Sequence, residues 1–312
     1  MKKIRGSVFL FLTAIIWGVA FVAQSEGMKY VGGFTFNCVR SLIGGVVLIP
    51  CIFLMRTWRA GEPEQERQSG AAGAKPASNR TRTLLVGGVC CGTVLCIASN
   101  LQQFGIKYTT VGKAGFITAL YIVLVPLLGL FFHRKVGKLV GFGVLFAVCG
   151  LYFLCIGEQF TIGLGDLLVF FCALVFSVHI LTVDHFAPMV DCVAMSCIQF
   201  FTCGILSAIP MLLFEQVSWE GLRGAAPTIL YAGVMSCGVA YTFQVVGQKN
   251  VNPTVASMLM SLESVVAVIA GLVVLGQRPS KRELLGCVLM FVAVILAQIP
   301  ENIFHSRKRE VE

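Results

Sequence analysis

Glu263 is the residue of this sequence best suited to chemistry, because it is an acid inside a long apolar run. In a membrane such an acid is costly, and it normally faces the interior of a helix bundle or a water-filled cavity. One helical face of the same run carries small and hydroxyl side chains, namely Ser257, Ser261, Ser264, Ala267 and Gly271. Glu263 is therefore a candidate site for a proton or a substrate amine. The alternative is a carboxylate that only joins helices through a basic or hydroxyl partner.

Arg40 is the basic residue that lies well inside an apolar run, and it shares a polar stripe with Asn37, Ser41 and Gly44. Three roles are open to it. It could pair with Glu263, bind the carboxylate of a substrate, or extend its long side chain to a membrane interface.

Further amide, hydroxyl and aromatic side chains recur at helical spacing in other apolar runs. Such groups suit a zwitterionic or amphipathic organic solute better than a bare ion. Each of them could instead make an interhelical hydrogen bond or anchor a membrane interface. The residues predicted to line a substrate cavity are Trp17, Gln24, Asn37, Arg40, Asn100, Gln103, Thr118, Tyr121, Tyr241, Gln244, Ser257, Ser261, Glu263 and Ser264, with Thr13 and Gln248 on the same stripes.

Two other features attract attention without indicating a reaction. His179, Asp184 and His185 do not share a helical face, so we interpret them as a polar cluster at a helix end rather than a metal site. Pro126 interrupts an apolar run and predicts either a kink or a tolerated membrane proline. The sequence lacks a nucleotide-binding motif, and we expect neither a cofactor nor a catalytic residue.

The elements that carry these residues must be membrane-spanning helices. Of the 312 residues 57% are hydrophobic and 12% are charged, which excludes a soluble enzyme. The thirteen cysteines lie mostly in apolar runs and are predicted to be small buried residues. Because the formal charge of +9 can arise from the positive-inside asymmetry of a membrane protein, it does not indicate a nucleic-acid partner.

Ten apolar runs are each long enough to approach the span of a bilayer, and lipid leaves helix as the reasonable conformation. They cover about 8–23, 33–55, 84–104, 114–132, 139–156, 164–183, 192–214, 227–246, 255–275 and 284–299. The first run, with its basic start, also resembles a secretory signal peptide, although Trp17 and Gln24 are unusual for one. The polar stretch 56–82 is predicted to be a disordered cytoplasmic linker, with a regulatory role as the alternative.

The basic residues predict the orientation. With the N-terminus inside, sixteen lysines and arginines fall in cytoplasmic segments and seven fall in outer loops. This excess places both termini in the cytoplasm of a multi-pass cell-membrane protein. The three basic residues between the ninth and tenth runs oppose this assignment.

The two halves of the chain resemble each other. The segment 118–141 has the same order of features as 260–286: an apolar helix, a short basic turn, then a helix that opens near a glycine. Two units of five helices would enter the membrane in opposite orientations, as in many secondary transporters. We therefore expect all-α repeats at 1–156 and 157–312. The alternative is the general likeness of hydrophobic segments.

The motifs AIIWGVAFVAQ, FTFNCVRSLIGG, KAGFITALYIVLVPLLGL, SLESVVAVIAGLVVLGQRPS and LLGCVLMFVAVIL, in this order, resemble the EamA family of the drug/metabolite transporter superfamily. The resemblance spans nearly the whole chain. It implies a ten-helix inner-membrane protein of two EamA repeats around a central cavity, often an exporter of amino acids, other metabolites or toxic compounds. Members commonly carry Glu where this chain has Gln277, and His133 to Lys135 replaces the corresponding turn of the first half. These departures put any coupling role of that position in doubt.

The sequence thus predicts a secondary transporter that moves a small organic solute by alternating access in the lipid bilayer, with a proton as the candidate coupling ion. Efflux of varied amphipathic cations is one alternative. A second is a membrane-embedded enzyme acting on lipid, for which Asp184 with His185 comes nearest to a reactive pair. A channel is disfavoured by the absence of repeated charged rings.

Overall fold

The computed structural model describes residues 2–60, 77–131, 138–155, 163–249, 251 and 253–298, and these residues form helices joined by short turns. Because lipid offers no partner to backbone amides, helices that satisfy their own hydrogen bonds are expected here. The α-helices are α1 Lys2–Gly27, α2 Gly33–Ala60, α3 Ala77–Lys107, α4 Val111–Thr118, α5 Tyr121–Phe131, α6 Lys138–Cys155, α7 Leu164–Phe186, α8 Cys192–Phe214, α9 Trp219–Leu230, α10 Tyr241–Gln248, α11 Pro253–Met260, α12 Glu263–Leu275 and α13 Lys281–Gln298.

Seven helical segments within the described ranges are long and apolar enough to cross a membrane. They are Ile4–Gly27, Gly33–Phe53, Arg80–Lys107, Val111–Leu130, Leu164–Met189, Cys192–Phe214 and Trp219–Gln248. Glu263–Leu275 and Leu284–Ala293 are shorter apolar helices. The protein is therefore a multi-pass helical membrane protein.

The stretch predicted as a disordered linker is partly helical. Residues 56–60 complete α2 and residues 77–82 begin α3, whereas 61–76 lie outside the described residues. A helix that projects beyond lipid needs no apolar periodicity. The polar composition therefore did not indicate that α2 and α3 extend into this stretch.

The segment Trp219–Gln248 begins before Pro227, where the predicted apolar run starts, because Ser218 is the N-cap of its first helix. The Ser218 hydroxyl accepts a hydrogen bond from Gly221 N and caps α9. Between α9 and α10 the segment Tyr231–Ala240 is a π-helix, where Tyr241 N donates to Ser236 O. Residues five apart therefore lie one above the other in this stretch.

Two helical segments are each interrupted by a two-residue turn, called a break below, across which backbone hydrogen bonds continue. The first break lies at Ala119–Leu120 between α4 and α5, and the second at Ser261–Leu262 between α11 and α12. Pro126 itself lies inside α5, seven residues after Ala119. Short i to i+3 hydrogen bonds, including Ile122 N to Ala119 O at 3.0 Å, tighten the chain one turn before the proline.

The helices pack across the two halves of the chain. The pairs with extensive contact are α2 with α8, α4 with α12, α6 with α13, α1 with α12, and α3 with both α7 and α8. Gly18 permits the α1–α12 contact, since a Cβ there would lie 2.8 Å from the Glu263 carbonyl oxygen and overlap the Val266 side chain. The first helix is thus an integral part of the bundle, as expected for a membrane helix.

Candidate functional site

A polar cavity lies inside the bundle where the two broken helices approach α1, α2 and α10. It leaves about 30 Å³ of free space, room for one or two water molecules. A solute larger than this free space requires the helices to separate. The described lining residues are Trp17, Ala20, Phe21, Gln24, Arg40, Gln102, Thr118, Tyr121, Phe176, Ile180, Ser236, Tyr241, Gln244 and Glu263.

Glu263 is the acid of this cavity, and it is the first residue of α12 after the helix break. Its side chain is 3% exposed. The hydroxyl of Tyr121, the first residue of α5, donates a hydrogen bond of 2.9 Å to Glu263 Oε1. A buried carboxyl group with one neutral partner can exchange a proton at lower cost than one held by an ion pair.

Arg40 faces the same cavity from α2 and is 5% exposed. Its guanidinium lies 5.7 Å from the centre of the Phe36 ring. Among the described residues, the ion pair within 4.0 Å is Lys29 with Glu26, so Arg40 and Glu263 share a cavity without forming the hypothesised pair.

Several polar atoms that border the cavity are buried without a hydrogen-bond partner. The donors are Trp17 Nε1 and Arg40 Nε, and the acceptors are Gln24 Oε1 and Gln244 Oε1. Buried polar groups are nearly always paired, so unpaired groups around a cavity point to a bound molecule or water.

Eight of the predicted residues line the cavity: Trp17, Gln24, Arg40, Thr118, Tyr121, Tyr241, Gln244 and Glu263. The aromatic members are in contact, since the Trp17 and Tyr241 rings lie 4.5 Å apart. Their role in substrate binding stays a prediction.

The other six predicted residues are not among those that line the cavity, and the three amides among them bridge helices. Asn37 Nδ2 donates to Ser99 O at 3.0 Å and to Asn100 Oδ1 at 2.9 Å. Asn100 Nδ2 in turn donates to Ser207 Oγ at 3.1 Å, and Gln103 Nε2 donates to Gln24 O at 3.2 Å. Their amides are used where α2, α3, α8 and α1 meet, and their predicted role in substrate binding stays a prediction.

The predicted serine stripe is also not among the residues that line the cavity. Ser257, Ser261 and Ser264 are buried, and the Ser264 hydroxyl donates to Ser261 O at 2.7 Å across the helix break. A Cβ at Gly115 of α4 would lie 2.8 Å from Ala267 Cβ and 3.2 Å from Ser264 Cα. Small residues on both helices therefore allow α4 and α12 to pack closely.

Two polar residues of the cavity escaped the sequence analysis. Gln102 is a membrane amide like its neighbour Gln103, and its Nε2 lies 3.3 Å from Thr118 Oγ1. An amide in an apolar run was a usable signal. Ser236 lies five residues before Tyr241, a spacing that shares a face in a π-helix but not in an α-helix. No sequence pattern indicated that π-helix.

The His179 interpretation needs correction. His179 is fully buried and its Nε2 lies 3.3 Å from Gln199 Oε1, whereas His185 is exposed. His179 is therefore a core residue packed beside Tyr241, with ring centres 6.1 Å apart, and it belongs to no helix-end cluster.

Gln277 has a structural contact at the end of α12. Its Oε1 accepts a hydrogen bond of 3.1 Å from Val111 N and so caps the first turn of α4. The corresponding turn of the first half, His133 to Lys135, lies outside the described residues.

The comparisons with known proteins agree with this architecture. The model of the EamA-like transporter family matches residues 4–156 and 163–298. A protein of Archaeoglobus fulgidus described as an uncharacterized transporter is 27% identical over 300 residues, which cover 96% of this chain and 87% of the relative. A second protein of that organism with the same description is 23% identical over 108 residues, covering 35% of this chain and 38% of the relative.

A solved crystal structure shares the fold. Its chain is 19% identical, with a TM-score of 0.69 over 94% of this chain and 96% of that chain. The family model accounts for almost every described residue of the bundle, including both broken helices. This chain therefore belongs to the EamA-like transporter family and is a multi-pass membrane transporter.

Proposed function

We propose that this transporter is a secondary active exporter of a small organic solute, an amino acid or a related metabolite, that works by alternating access. The observation that carries the proposal is the meeting of two broken helices at a buried cavity, where Tyr121 donates a hydrogen bond to Glu263. Secondary transporters commonly bind substrate and coupling ion near such breaks, at the interface of two repeats.

The proposal includes ten crossings arranged as two inverted repeats, 1–156 and 157–312. The crossings are α1, α2, α3, α4–α5, α6, α7, α8, α9–α10, α11–α12 and α13. Exchanging each crossing with the one five places later preserves the extensive contacts between crossings. Three pairs of equivalent crossings are in contact: two with seven, four with nine, and five with ten. Crossing one packs against crossings eight and nine, and its equivalent, crossing six, packs against crossings three and four.

Alternating access would occur as one repeat rocks against the other and opens the cavity to each side in turn. Both termini would lie in the cytoplasm of the cell membrane, as sixteen inner against seven outer basic residues predict. A green fluorescent protein fused to the C-terminus should then fluoresce in cells, and an alkaline phosphatase fusion at the same place should be inactive. The opposite pattern would reverse the topology.

Glu263 is the proposed proton-coupling residue. Its proton would be exchanged against substrate, so that the inward proton gradient drives export. The surroundings of Glu263 support this role. Its carboxyl group is buried, its hydrogen-bond partner is the neutral Tyr121 hydroxyl, and it directly follows a helix break.

The test uses purified protein in vesicles, with labelled amino acids as probes and an imposed pH gradient. We expect the wild type to accumulate at least one of the twenty amino acids, and Glu263→Gln to lose gradient-driven accumulation while retaining exchange. Glu220→Gln, an exposed acid in the first turn of α9, is the matched control and should behave as wild type. Full accumulation by Glu263→Gln with an unchanged pH profile would remove the acid as the coupling group.

Efflux of amphipathic cations is the second candidate, because Trp17, Tyr121 and Tyr241 offer aromatic faces to the cavity. It predicts that ethidium is transported and competes with the amino acids. The buried guanidinium of Arg40 opposes it, since it would repel a cation in the same space.

A further inference from the structure

Arg40 is a buried cation that lacks a counter-charge. It is 5% exposed, its Nε has no hydrogen-bond partner, and within the described chain no carboxylate lies within 4.0 Å of it. A buried charge is strongly unfavourable unless it is paired. Since Arg40 faces the cavity, the missing partner would be an anion that enters that cavity.

The unpaired atoms around the cavity require a ligand with two kinds of polar group. Trp17 Nε1 and Arg40 Nε need acceptors, whereas Gln24 Oε1 and Gln244 Oε1 need donors. The Glu263 carboxyl group, which accepts one hydrogen bond from Tyr121, adds acceptor capacity. A molecule with both a carboxylate and an ammonium group satisfies both sets.

The charge of the lining restricts the anion. Among the fourteen described lining residues, Arg40 is the one basic and Glu263 the one acidic side chain. One guanidinium balances one monoanion, and a dianionic phosphate would face the Glu263 acid with excess negative charge. The planar fork of arginine also matches a carboxylate bidentately.

Part of the remaining wall is apolar. Phe21, Phe176 and Ile180 line the same cavity as the aromatic rings of Trp17 and Tyr241. This wall would receive the hydrocarbon part of a solute, since apolar and aromatic surfaces dominate small-molecule sites.

We propose that the solute is an amphipathic amino acid, or a zwitterion like it, whose carboxylate pairs with Arg40 and whose ammonium group faces Glu263. This assignment rests on the proposed function and narrows its substrate class. A proton on Glu263 would weaken its attraction for the ammonium group, which links solute release to proton binding.

The experiment measures binding to the purified full-length protein through Trp17 fluorescence, in a variant with Trp58→Phe and Trp219→Phe. Trp17 reports on the cavity because it lines it against Tyr241. The probes are L-leucine, L-leucinamide and 4-methylpentanoate, and the phenylalanine series L-phenylalanine, L-phenylalaninamide and 3-phenylpropanoate. The amide lacks the carboxylate, and the deaminated acid lacks the ammonium group.

We expect at least one free amino acid to bind tenfold or more tightly than its amide and its deaminated acid. Arg40→Gln should weaken the binding of the free amino acid and of the deaminated acid at least tenfold and leave the binding of the amide unchanged. Arg40→Lys should have an intermediate effect. In Glu263→Gln the free amino acid should still bind more tightly than its amide, but no longer more tightly than its deaminated acid. Arg223→Gln, an exposed arginine beside Trp219, should bind like the parent protein.

Four results would each overturn the assignment. They are amides that bind as tightly as the free amino acids, unchanged binding of the amino acid by Arg40→Gln, tighter binding of inorganic phosphate, and no fluorescence response to any carboxylate. The outcome is separable from the proposed function. Selective binding without movement across vesicles would leave the Arg40 assignment standing and remove the transporter mechanism. Gradient-driven accumulation of an amino acid by the wild type and by Arg40→Gln alike, with equal binding of leucine and leucinamide, would do the reverse.

Discussion

Tyr121 and Glu263 occupy matching positions in the two halves of the chain, and their side chains are joined by a hydrogen bond of 2.9 Å. Each is the first residue after a break in a membrane helix. Laying 118–141 on 260–286 places them at the same position, three residues from the start of each segment. The bond therefore joins equivalent points of the two halves at the centre of the bundle.

Loss of this bond should impair transport more than folding. Tyr121→Phe keeps the ring and removes the hydroxyl that donates to Glu263 Oε1. Hydrogen bonds to charged groups contribute about 1.5–3 kcal/mol, so we expect gradient-driven amino-acid accumulation to fall about tenfold or more. Vesicle uptake measures it. Tyr108→Phe, which removes an exposed hydroxyl, should retain normal uptake, and equal uptake by both variants would show that the bond has no role.

Glu215 should stabilise the bundle far more than other acids at the same surface. Its carboxylate accepts hydrogen bonds from Phe34 N at 2.9 Å and from Thr35 N and Thr35 Oγ1 at 2.7 Å, and so caps α2 from the end of α8. We expect Glu215→Ala to lower the free energy of unfolding by about 1–2 kcal/mol.

Thermal unfolding in detergent, followed with a thiol-reactive dye that detects the buried cysteines as they emerge, measures the effect of Glu215→Ala. Glu26→Ala is the matched control, because the Lys29–Glu26 pair is a surface ion pair between neighbouring residues. Such pairs contribute about 0–1 kcal/mol, so its melting temperature should hardly move. If both variants melted at the same temperature, the capping role would be wrong.

The close approach of α1 to the break in α11–α12 should be sensitive to a single methyl group. In Gly18→Ala the new Cβ would lie 2.8 Å from the Glu263 carbonyl oxygen. Overpacking of this kind costs about 1–3 kcal/mol, and here it also displaces the residue proposed to carry the proton. We expect a lower melting temperature and reduced uptake.

Gly271→Ala provides the control for Gly18→Ala within α12 itself. Its added Cβ would meet its nearest neighbour, Gln277 Oε1, at an ordinary 3.4 Å. Alanine also favours helix over glycine by about 1 kcal/mol. Its stability should be unchanged or improved, and a loss equal to that of Gly18→Ala would show that any added methyl group on this interface is harmful.

The amino-acid sequence by itself determined the class of structure and the identity of the two charged residues of the cavity. Its hydrophobic content requires membrane helices, because an apolar chain in lipid must satisfy its backbone hydrogen bonds internally. Glu263 and Arg40 stood out because a charge inside an apolar run is costly and must face the bundle interior. The likeness of 118–141 to 260–286 was visible in the sequence, although nothing in it indicated that Tyr121 and Glu263 would touch.

Only the tertiary structure decided which polar residues share the cavity. Periodicity specifies which residues share one face of a helix, but not how neighbouring helices are rotated about their axes. Asn37 thus turned to α3, whereas Arg40, one turn later on the same stripe, faced the cavity. The break at Ser261–Leu262 and the π-helix before Tyr241 were equally hidden, since both depend on packing against other helices.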